Sequence, residues 1–181
     1  MKTIYLGGGC FWCTEAIFKR LRGVTEVMPG YMGGTVAEPS YEQVSTGTTG
    51  HAEVIKIMYD DTVITTGDIL DVFFATHDPT TPNRQGADVG TQYRSVIFYT
   101  DEPMRDAAKE ALARAQEKLD NGELAALGTT VITHVTEASD FYPAEDYHRR
   151  YYEQHRDAPY CQVVIDPKVE KLQKQFGNKL A

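Results

Sequence analysis

The feature that most constrains the fold is the stretch "TIYLGGGCFWCTEAIF", residues 3–18. A short apolar segment runs into three consecutive glycines, and a segment with an apolar helical face follows. Because glycine permits sharp turns and close backbone approach, the pattern predicts a strand, a tight turn and a helix that begins near Phe11. Cys10 therefore stands at the start of this helix, and Cys13 follows one helical turn later.

A cysteine at the start of a helix has a specific chemistry. Free backbone N–H groups and the positive end of the helix dipole stabilise an anion there. We therefore expect the pKa of Cys10 to be lowered and its thiolate to act as a nucleophile. A sulfenic acid formed on Cys10 could be resolved by Cys13 as a disulfide, provided that the first helical turn distorts to bring the sulfurs to bonding geometry.

Other interpretations of the two cysteines are possible. Both could be buried small apolar residues, although their joint placement after a glycine turn favours a functional pair. A zinc site needs about four ligands, and only Cys161 and five scattered histidines remain, so we expect no metal. A thioredoxin-like disulfide-exchange or redox-sensing module stays open as the alternative function, because C-x-x-C at a helix start is its signature.

The remaining pattern predicts an α+β fold. Strands are predicted over residues 3–6, 24–31, 51–59, 94–99 and 131–135, with a slip in the third strand near Lys56. Helices are predicted over 11–21, 68–76 with Asp68 as its N-cap, 101–119, 144–156 and 167–176. The middle strands are not each followed by a crossover helix. We therefore expect a two-layer α/β sandwich with a mixed, mainly antiparallel sheet, a ferredoxin-like plait.

Composition limits the class of protein further. The 181 residues predict a single catalytic domain, 1–181, with a C-terminal extension from about residue 157. A net charge of −8 argues against binding to nucleic acid or to an acidic membrane surface. No run of 18 apolar residues or signal peptide is recognisable, and three cysteines suit a reducing compartment. We expect a cytoplasmic monomer.

Three blocks carry a family resemblance: "GCFWCTEAIF", "YEQVSTGTTGHAEV" and "HDPTTPNRQGADVGTQYRS". Together with the later stretch "FYPAEDYH", their order and spacing resemble the peptide methionine sulfoxide reductases of the A class. The similarity extends from residue 4 to about residue 165. The resemblance implies reduction of the S epimer of methionine sulfoxide, free or in proteins, without a cofactor. It also implies the α+β sandwich and thioredoxin as the final reductant, which suits a disulfide formed in the cytoplasm.

The resemblance assigns roles to individual residues. Cys10 matches the nucleophile, and Glu53 matches the acid that protonates the sulfoxide oxygen, which requires a pKa raised by burial. The other matching positions are two tyrosines that hydrogen-bond the sulfoxide oxygen, an aspartate that positions the site, and two aromatic walls around the S-methyl group: Tyr41, Tyr93, Asp88, Phe11 and Trp12. Taken singly, Glu53 could be a solvated strand residue, Asp88 a turn residue, and the aromatics packing residues. His51 and His77 are assigned structural roles.

The sequence departs from the family pattern at the resolving step. Many relatives have glycine at the position of Cys13 and take a resolving cysteine from a glycine-rich C-terminal tail. Here the tail carries one cysteine, Cys161, followed by a predicted helix. Cys13 is favoured because it lies within local reach of Cys10. Cys161 remains open as a second resolving cysteine, as a relay of the disulfide, or as a buried structural thiol.

Overall fold

The computed structural model describes all residues, 1–181. Eight strands are β1 Lys2–Gly8, β2 Val24–Met32, β3 Ala52–Tyr59, β4 Arg84–Gln85, β5 Asp88–Val89, β6 Ser95–Tyr99, β7 His134–Glu137 and β8 Tyr142–Pro143. Six α-helices are α1 Phe11–Phe18, α2 Tyr41–Ser45, α3 Thr66–Thr76, α4 Glu102–Asp120, α5 Tyr151–Gln154 and α6 Asp166–Phe176. Short 3-10 turns lie at Thr91–Tyr93, Asp146–His148 and Gly177–Lys179, and a π-helical turn spans Cys161–Ile165. None of the helices is long and apolar enough to cross a membrane.

The main sheet has six strands in the order β7-β6-β1-β3-β2-β8. Its four central strands and two helices follow one another as β1-α1-β2-β3-α3-β6, with antiparallel pairing throughout. This is the connectivity of a ferredoxin-like plait. The edge strand β7 pairs with β6 in parallel, which makes the sheet mixed. The predicted α+β class and mainly antiparallel sheet are therefore confirmed.

Helices cover one face of the sheet. Strand residues of one parity, such as Ile4, Leu6 and Ile57, point into a core of 25 buried residues that also includes residues of α1, α3, α4 and α6. Residues of the other parity, such as Val54 and Phe98, form a smaller cluster on the opposite face, covered by loop residues. Period-2 alternation along the strands produces this division, because successive side chains point to opposite faces.

Two predicted helix boundaries are wrong. Helix α1 ends at Phe18 rather than at residue 21, because Leu21 leaves the helix to form an isolated β-bridge with Leu180. Helix α3 begins earlier than predicted, and Asp68 is not its N-cap. Thr65 is the N-cap, and its hydroxyl accepts a hydrogen bond from the Asp68 backbone while the Asp68 carboxylate accepts one from Thr65.

Other differences have tertiary causes. Pairing of β3 is continuous at Lys56, and the irregularity lies in β2 between Val24 and Glu26. The strand predicted at 131–135 begins at His134, because the backbone N–H groups of Val131 and Ile132 donate to Gln116 and Pro79 outside the sheet.

The helix predicted over 144–156 is divided into a 3-10 turn and the short helix α5. Arg150 separates the two pieces and adopts a left-handed conformation with φ 56°. Its backbone N–H donates to both carboxylate oxygens of Glu15 at 3.0 Å, which directs that donor away from a helical carbonyl.

The C-terminal segment, residues 157–181, packs onto the sandwich. Leu172 of α6 is fully buried in the main core, and α6 contacts both α1 and α3. Two backbone hydrogen bonds, Arg22 N–H to Lys179 and Ala181 N–H to Arg20, attach the end of the chain beside α1. The predicted extension is thus held by apolar burial and backbone hydrogen bonds.

We expect Leu172→Ala to lower the free energy of unfolding by about 2–5 kcal/mol, because it leaves a cavity under α6. Urea denaturation followed by circular dichroism measures this change. Leu127→Ala is the matched control, since Leu127 is 82% exposed and should change stability by less than about 0.5 kcal/mol. Equal effects of the two substitutions would show that α6 does not belong to the cooperative unit.

Candidate active site

The glycine turn places the end of β1 against the start of α1. Gly9 has φ +99°, a conformation that side-chain-bearing residues rarely adopt, and a Cβ there would meet Gln85 at 2.7 Å. Gly7 pairs with Val96 of β6, and a Cβ on it would lie 2.8 Å from the Val96 side chain. The turn therefore requires glycine for its backbone angle and for close packing, and it delivers Cys10 as the N-cap of α1.

Glu53 lies on β3, paired with Tyr31 of β2, and is only 1% exposed. Its Oε1 accepts a hydrogen bond from the Phe11 backbone N–H at 3.2 Å. Its Oε2 is buried and has no hydrogen-bond partner. Burial raises the pKa of Glu53 to about 8, although the Phe11 hydrogen bond acts in the opposite direction. At neutral pH the carboxyl group is therefore protonated, and one of its oxygens is free for a ligand.

Cys10 and Cys13 are coupled thiols. Cys10 is 9% exposed and Cys13 is 2% exposed, and each thiol shifts the pKa of the other. Burial raises the pKa of Cys10 well above its usual value, and the hydrogen bond to Cys13 and the charge of Glu53 add to the rise. The pKa of Cys13 is lowered to about 7, chiefly by the hydrogen bond from Cys10, with the charge of Lys168 contributing. The pair thus loses one proton near neutral pH.

The prediction that the pKa of Cys10 is lowered is wrong, because the pKa of this thiol is raised. The helix start does act on this sulfur, since the Trp12 backbone lowers its pKa, but burial outweighs that effect. The first N–H of the helix, on Phe11, is directed to Glu53 instead. The anion favoured by the site is therefore shared by two sulfurs, and proton transfer between them can place it on Cys10.

Tyr41 and Tyr93 both lie close enough to Glu53 and Cys10 for the charges of these groups to raise the tyrosine pKa values. Burial raises the pKa of Tyr41 to about 12 and that of Tyr93 further, with the charge of Glu53 as the next cause for each. Both phenols are therefore protonated hydrogen-bond donors at neutral pH. The Tyr93 hydroxyl makes no hydrogen bond to another residue and so is available to a ligand beside Glu53.

Asp88 reaches the site through a residue that the sequence reasoning missed. Asp88 lies on β5 of a two-stranded hairpin, and its Oδ2 accepts a hydrogen bond from the Tyr160 hydroxyl at 2.9 Å. The same hydroxyl lies 3.6 Å from Cys13 Sγ. Tyr160 directly precedes Cys161 in the chain, and no local sequence pattern distinguishes it from the other tyrosines.

The aromatic residues between the cysteines have different environments. Phe11 is fully buried and packs near Tyr31, Tyr41 and His148. Trp12 is partly exposed, stacks on Tyr151 at 3.7 Å between ring centroids, and donates its indole N–H to His148 Nδ1 at 3.0 Å. His148 is a second missed residue, although it ends the quoted stretch "FYPAEDYH". The structure thus brings Trp12 to the rim of the site and Phe11 beneath it.

Cys161 is fully buried in one apolar cluster with Cys10 and Cys13. It begins the π-helical turn that leads into α6, and all three thiols are free. Burial raises the pKa of Cys161, and the nearby charge of Cys13 adds to this rise. Residues from α5 to α6 therefore cover the cysteine pair from above, with Cys161 facing inward.

Two other features that indicate functional sites in proteins are a large cavity and a cluster of metal ligands. A cavity of about 390 Å³ opens between α1 and β2, lined by Glu15, Lys19 and Arg149 among others, and its lining contains neither the cysteines nor Glu53. No group of three or more His, Cys, Asp or Glu side chains is placed so that it could hold a metal ion. The cysteine pair and Glu53 therefore form the candidate active site.

His77 and His51 have structural environments. His77 is buried, its Nδ1–H donates to the Phe73 carbonyl, and its Nε2 accepts from Ser95 at 2.8 Å. Burial lowers the pKa of His77 to about 4, so it is neutral. His51 Nδ1 accepts from the Gly34 backbone N–H, and its Nε2–H donates to the Val36 carbonyl. Both rings fix loops around the sheet.

A buried thiol pair beside a protonated carboxylic acid, on a ferredoxin-like plait, defines a cysteine-based oxidoreductase. The family model described as "Peptide methionine sulfoxide reductase" matches residues 2–180. The chain belongs to this family, and it is a methionine sulfoxide reductase of the A class. The match favours the enzyme over the alternative of a thioredoxin-like exchange module.

Known proteins agree in sequence and in fold. The chain is 51% identical over 179 residues to peptide methionine sulfoxide reductase MsrA of Sulfolobus acidocaldarius, covering 99% of this chain and 97% of that protein. The structure of methionine sulfoxide reductase A of Corynebacterium diphtheriae superimposes with a TM-score of 0.78 at 33% identity, covering 86% and 75% of the two chains. Mxr1 from Saccharomyces cerevisiae, in complex with Trx2, matches with a TM-score of 0.51 at 25% identity, covering 83% and 84%.

Proposed function

We propose that this enzyme reduces the S epimer of methionine sulfoxide, free or in proteins, through a sulfenic acid on Cys10 and a subsequent disulfide. The observation that carries the proposal is the buried, unpartnered Oε2 of a protonated Glu53 beside the thiol pair. A buried polar atom without a partner is costly unless a ligand satisfies it. A sulfoxide oxygen is an acceptor that fits this donor.

The first step is nucleophilic attack on the sulfoxide sulfur. Cys10 transfers its proton to Cys13 along their hydrogen bond, and the resulting Cys10 thiolate attacks. Glu53 donates its proton to the sulfoxide oxygen, because this oxygen is a poor leaving group until it is protonated. The oxygen ends on Cys10 as S–OH, the sulfoxide sulfur is reduced by two electrons to the thioether of methionine, and Glu53 becomes a carboxylate.

Substrate positioning is assigned to the surrounding side chains. The protonated Tyr41 and Tyr93 hydroxyls would hydrogen-bond the sulfoxide oxygen beside Glu53. Trp12 forms the aromatic wall for the S-methyl group, a contact worth about 0.3–1.5 kcal/mol. Phe11, buried beneath, completes that wall as the resemblance implies. Tyr151 stacks on Trp12 here, so the substrate displaces it or uses the free side of the indole.

We assign the resolving step to Cys13. It hydrogen-bonds the Cys10 thiol, and its pKa of about 7 makes it the more readily ionised partner. Residues at i and i+3 of a helix are neighbours, so only local distortion is needed for a disulfide. Cys161 lies in the same apolar cluster, but its raised pKa makes it a poorer nucleophile.

Thioredoxin is the proposed reductant of the disulfide. The yeast protein Mxr1 in complex with Trx2 supports this assignment by similarity. Because Cys13 is buried beneath Tyr160, the segment from α5 to the π-helical turn must move before a protein reductant can reach it. The reaction needs no cofactor of its own, and we place it in the cytoplasm, where we expect the enzyme to act as a monomer.

Cys10→Ser should abolish methionine formation from methionine-(S)-sulfoxide, because a serine hydroxyl is not ionised at neutral pH and cannot form the sulfenic acid. Single-turnover chromatography of free methionine measures the product. Cys161→Ser is the control and should still yield one methionine per enzyme. Wild-type turnover by Cys10→Ser would show that the nucleophile is wrongly assigned.

Glu53→Gln should slow methionine formation by about 10²–10⁴-fold, the usual contribution of a general acid. In the wild-type enzyme the rate of this step should fall above pH 8, since a group with a pKa of about 8 loses its proton there and can no longer donate it. The variant should lack this fall. An unchanged rate across pH 6–9 in rapid-quench measurements would remove Glu53 from the role.

One turnover without reductant should produce a Cys10–Cys13 disulfide, because the two thiols lie one helical turn apart in the same buried cluster. Peptide mass mapping after thiol alkylation identifies the pair. Cys13→Ser should accumulate a Cys10 sulfenic acid, whereas Cys161→Ser should form the same disulfide as the wild-type protein. A wild-type disulfide that contains Cys161 would reverse the assignment.

A further inference from the structure

Three side chains form a continuous hydrogen-bonded chain that begins at Cys13, which shares a buried cluster with Cys10. Cys13 Sγ lies 3.6 Å from the Tyr160 hydroxyl, and Tyr160 donates to Asp88 Oδ2 at 2.9 Å. Because the single proton of Tyr160 is given to Asp88, a protonated Cys13 donates its S–H to the Tyr160 oxygen. The chain leads from the buried cysteine pair to a carboxylate that is partly exposed.

The proposed first step creates a need for such a chain. Cys13 accepts the proton of Cys10, so that Cys10 can attack, and it is then a neutral thiol. Only a thiolate attacks a sulfenic acid efficiently. Cys13 is 2% exposed, and water has little access to it. Its proton must therefore leave through the protein.

The groups around Cys13 leave one route for this proton. The titratable and charged side chains that face it are Cys10, Glu53, Asp88, Tyr160, Cys161 and Lys168. Cys10 carries the sulfenic acid at this stage. Lys168 is a cation and cannot accept a proton, and the Cys161 thiol makes no hydrogen bond. The Tyr160 hydroxyl is in contact with the thiol and is already bonded to a carboxylate.

We propose that Tyr160 positions Cys13 and relays its proton to Asp88 during disulfide formation. This proposal rests on the proposed function, in which Cys13 resolves the sulfenic acid. Asp88 then acts through Tyr160 as the terminal base. The relay residue Tyr160 belongs to the segment between α5 and α6 that covers the cysteine pair.

The step balances in atoms and electrons. The Cys13 proton passes to the Tyr160 oxygen while the Tyr160 proton passes to Asp88. The Cys13 sulfur supplies the electron pair of the new S–S bond, and the S–O bond of the Cys10 sulfenic acid breaks. The leaving hydroxide takes the proton that Glu53 has regained from solvent and departs as water. Cys13 is oxidised, the sulfenic sulfur is reduced, and Asp88 returns its proton to solvent.

The test uses Tyr160→Phe, which keeps the ring and removes only the hydroxyl. It measures methionine formation and disulfide formation separately in this variant. Rapid-quench analysis measures methionine formation, and dimedone labelling of Cys10 with mass spectrometry measures the sulfenic acid and its decay. Disulfide formation should slow far more than methionine formation, so that the sulfenic acid persists about 10²-fold longer. Tyr99→Phe is the matched control, since Tyr99 ends β6 at the opposite end from the site and should change neither step.

A pH profile distinguishes a relay from a packing role. Without the relay, disulfide formation should depend on the ionised fraction of Cys13 and should therefore rise with pH. In the wild-type enzyme the same step should depend less on pH. A uniform slowing of Tyr160→Phe with an unchanged profile would mean a packing role and would overturn the proposal, as would wild-type decay of the sulfenic acid.

The double variant Tyr160→Phe/Asp88→Asn provides an independent check. If the two residues act as one relay, the Cys10 sulfenic acid should decay no more slowly in the double variant than in Asp88→Asn alone. Multiplicative effects would show that they act separately and would contradict the proposal. Failure of the wild-type protein to release methionine would instead contradict the proposed function, so the two failures are distinguishable.

Discussion

The hydrogen bond from the Phe11 backbone N–H to Glu53 is the interaction on which the site depends. It connects the first turn of α1 to β3, and it requires the glycine turn that brings the helix start against the sheet. It occupies one oxygen of the carboxyl group and leaves the other free. Burial at this junction raises the pKa of Glu53 and of Cys10 together. Burial therefore keeps both the Glu53 carboxyl group and the Cys10 thiol protonated.

The site is assembled from two parts of the chain. The N-terminal part supplies Cys10, Cys13 and Glu53 from the sheet and the first helix. The C-terminal part supplies Tyr160, Lys168 and His148, which bond or polarise groups of the first part. This second part covers the thiols and is held by the burial of α6 as well as by polar contacts.

Much of the fold could be predicted, because its signals are local. Apolar residues that alternate with polar ones in β1 and β3, glycines at turns and helix-capping residues predict the bounds of the βαββαβ core to within a few residues. The failures occur where a distant contact decides the backbone. Arg150 interrupts a helical pattern because its N–H is taken by Glu15, and Leu21 leaves α1 to pair with Leu180. For the candidate site, family-like motifs predicted roles for Cys10, Glu53, Tyr41, Tyr93 and Asp88, whereas no local pattern marked Tyr160 or His148.

The sequence by itself determined the strand–glycine–helix unit and the placement of two thiols one turn apart, since these follow from backbone preferences of neighbouring residues. Only the tertiary structure decided which of the two thiols carries the negative charge. The helix start favours an anion on the nearest sulfur, but burial and the Cys10–Cys13 hydrogen bond move the lower pKa to Cys13. Desolvation depends on what the rest of the chain places over a group, and here residues more than 130 positions away provide that cover.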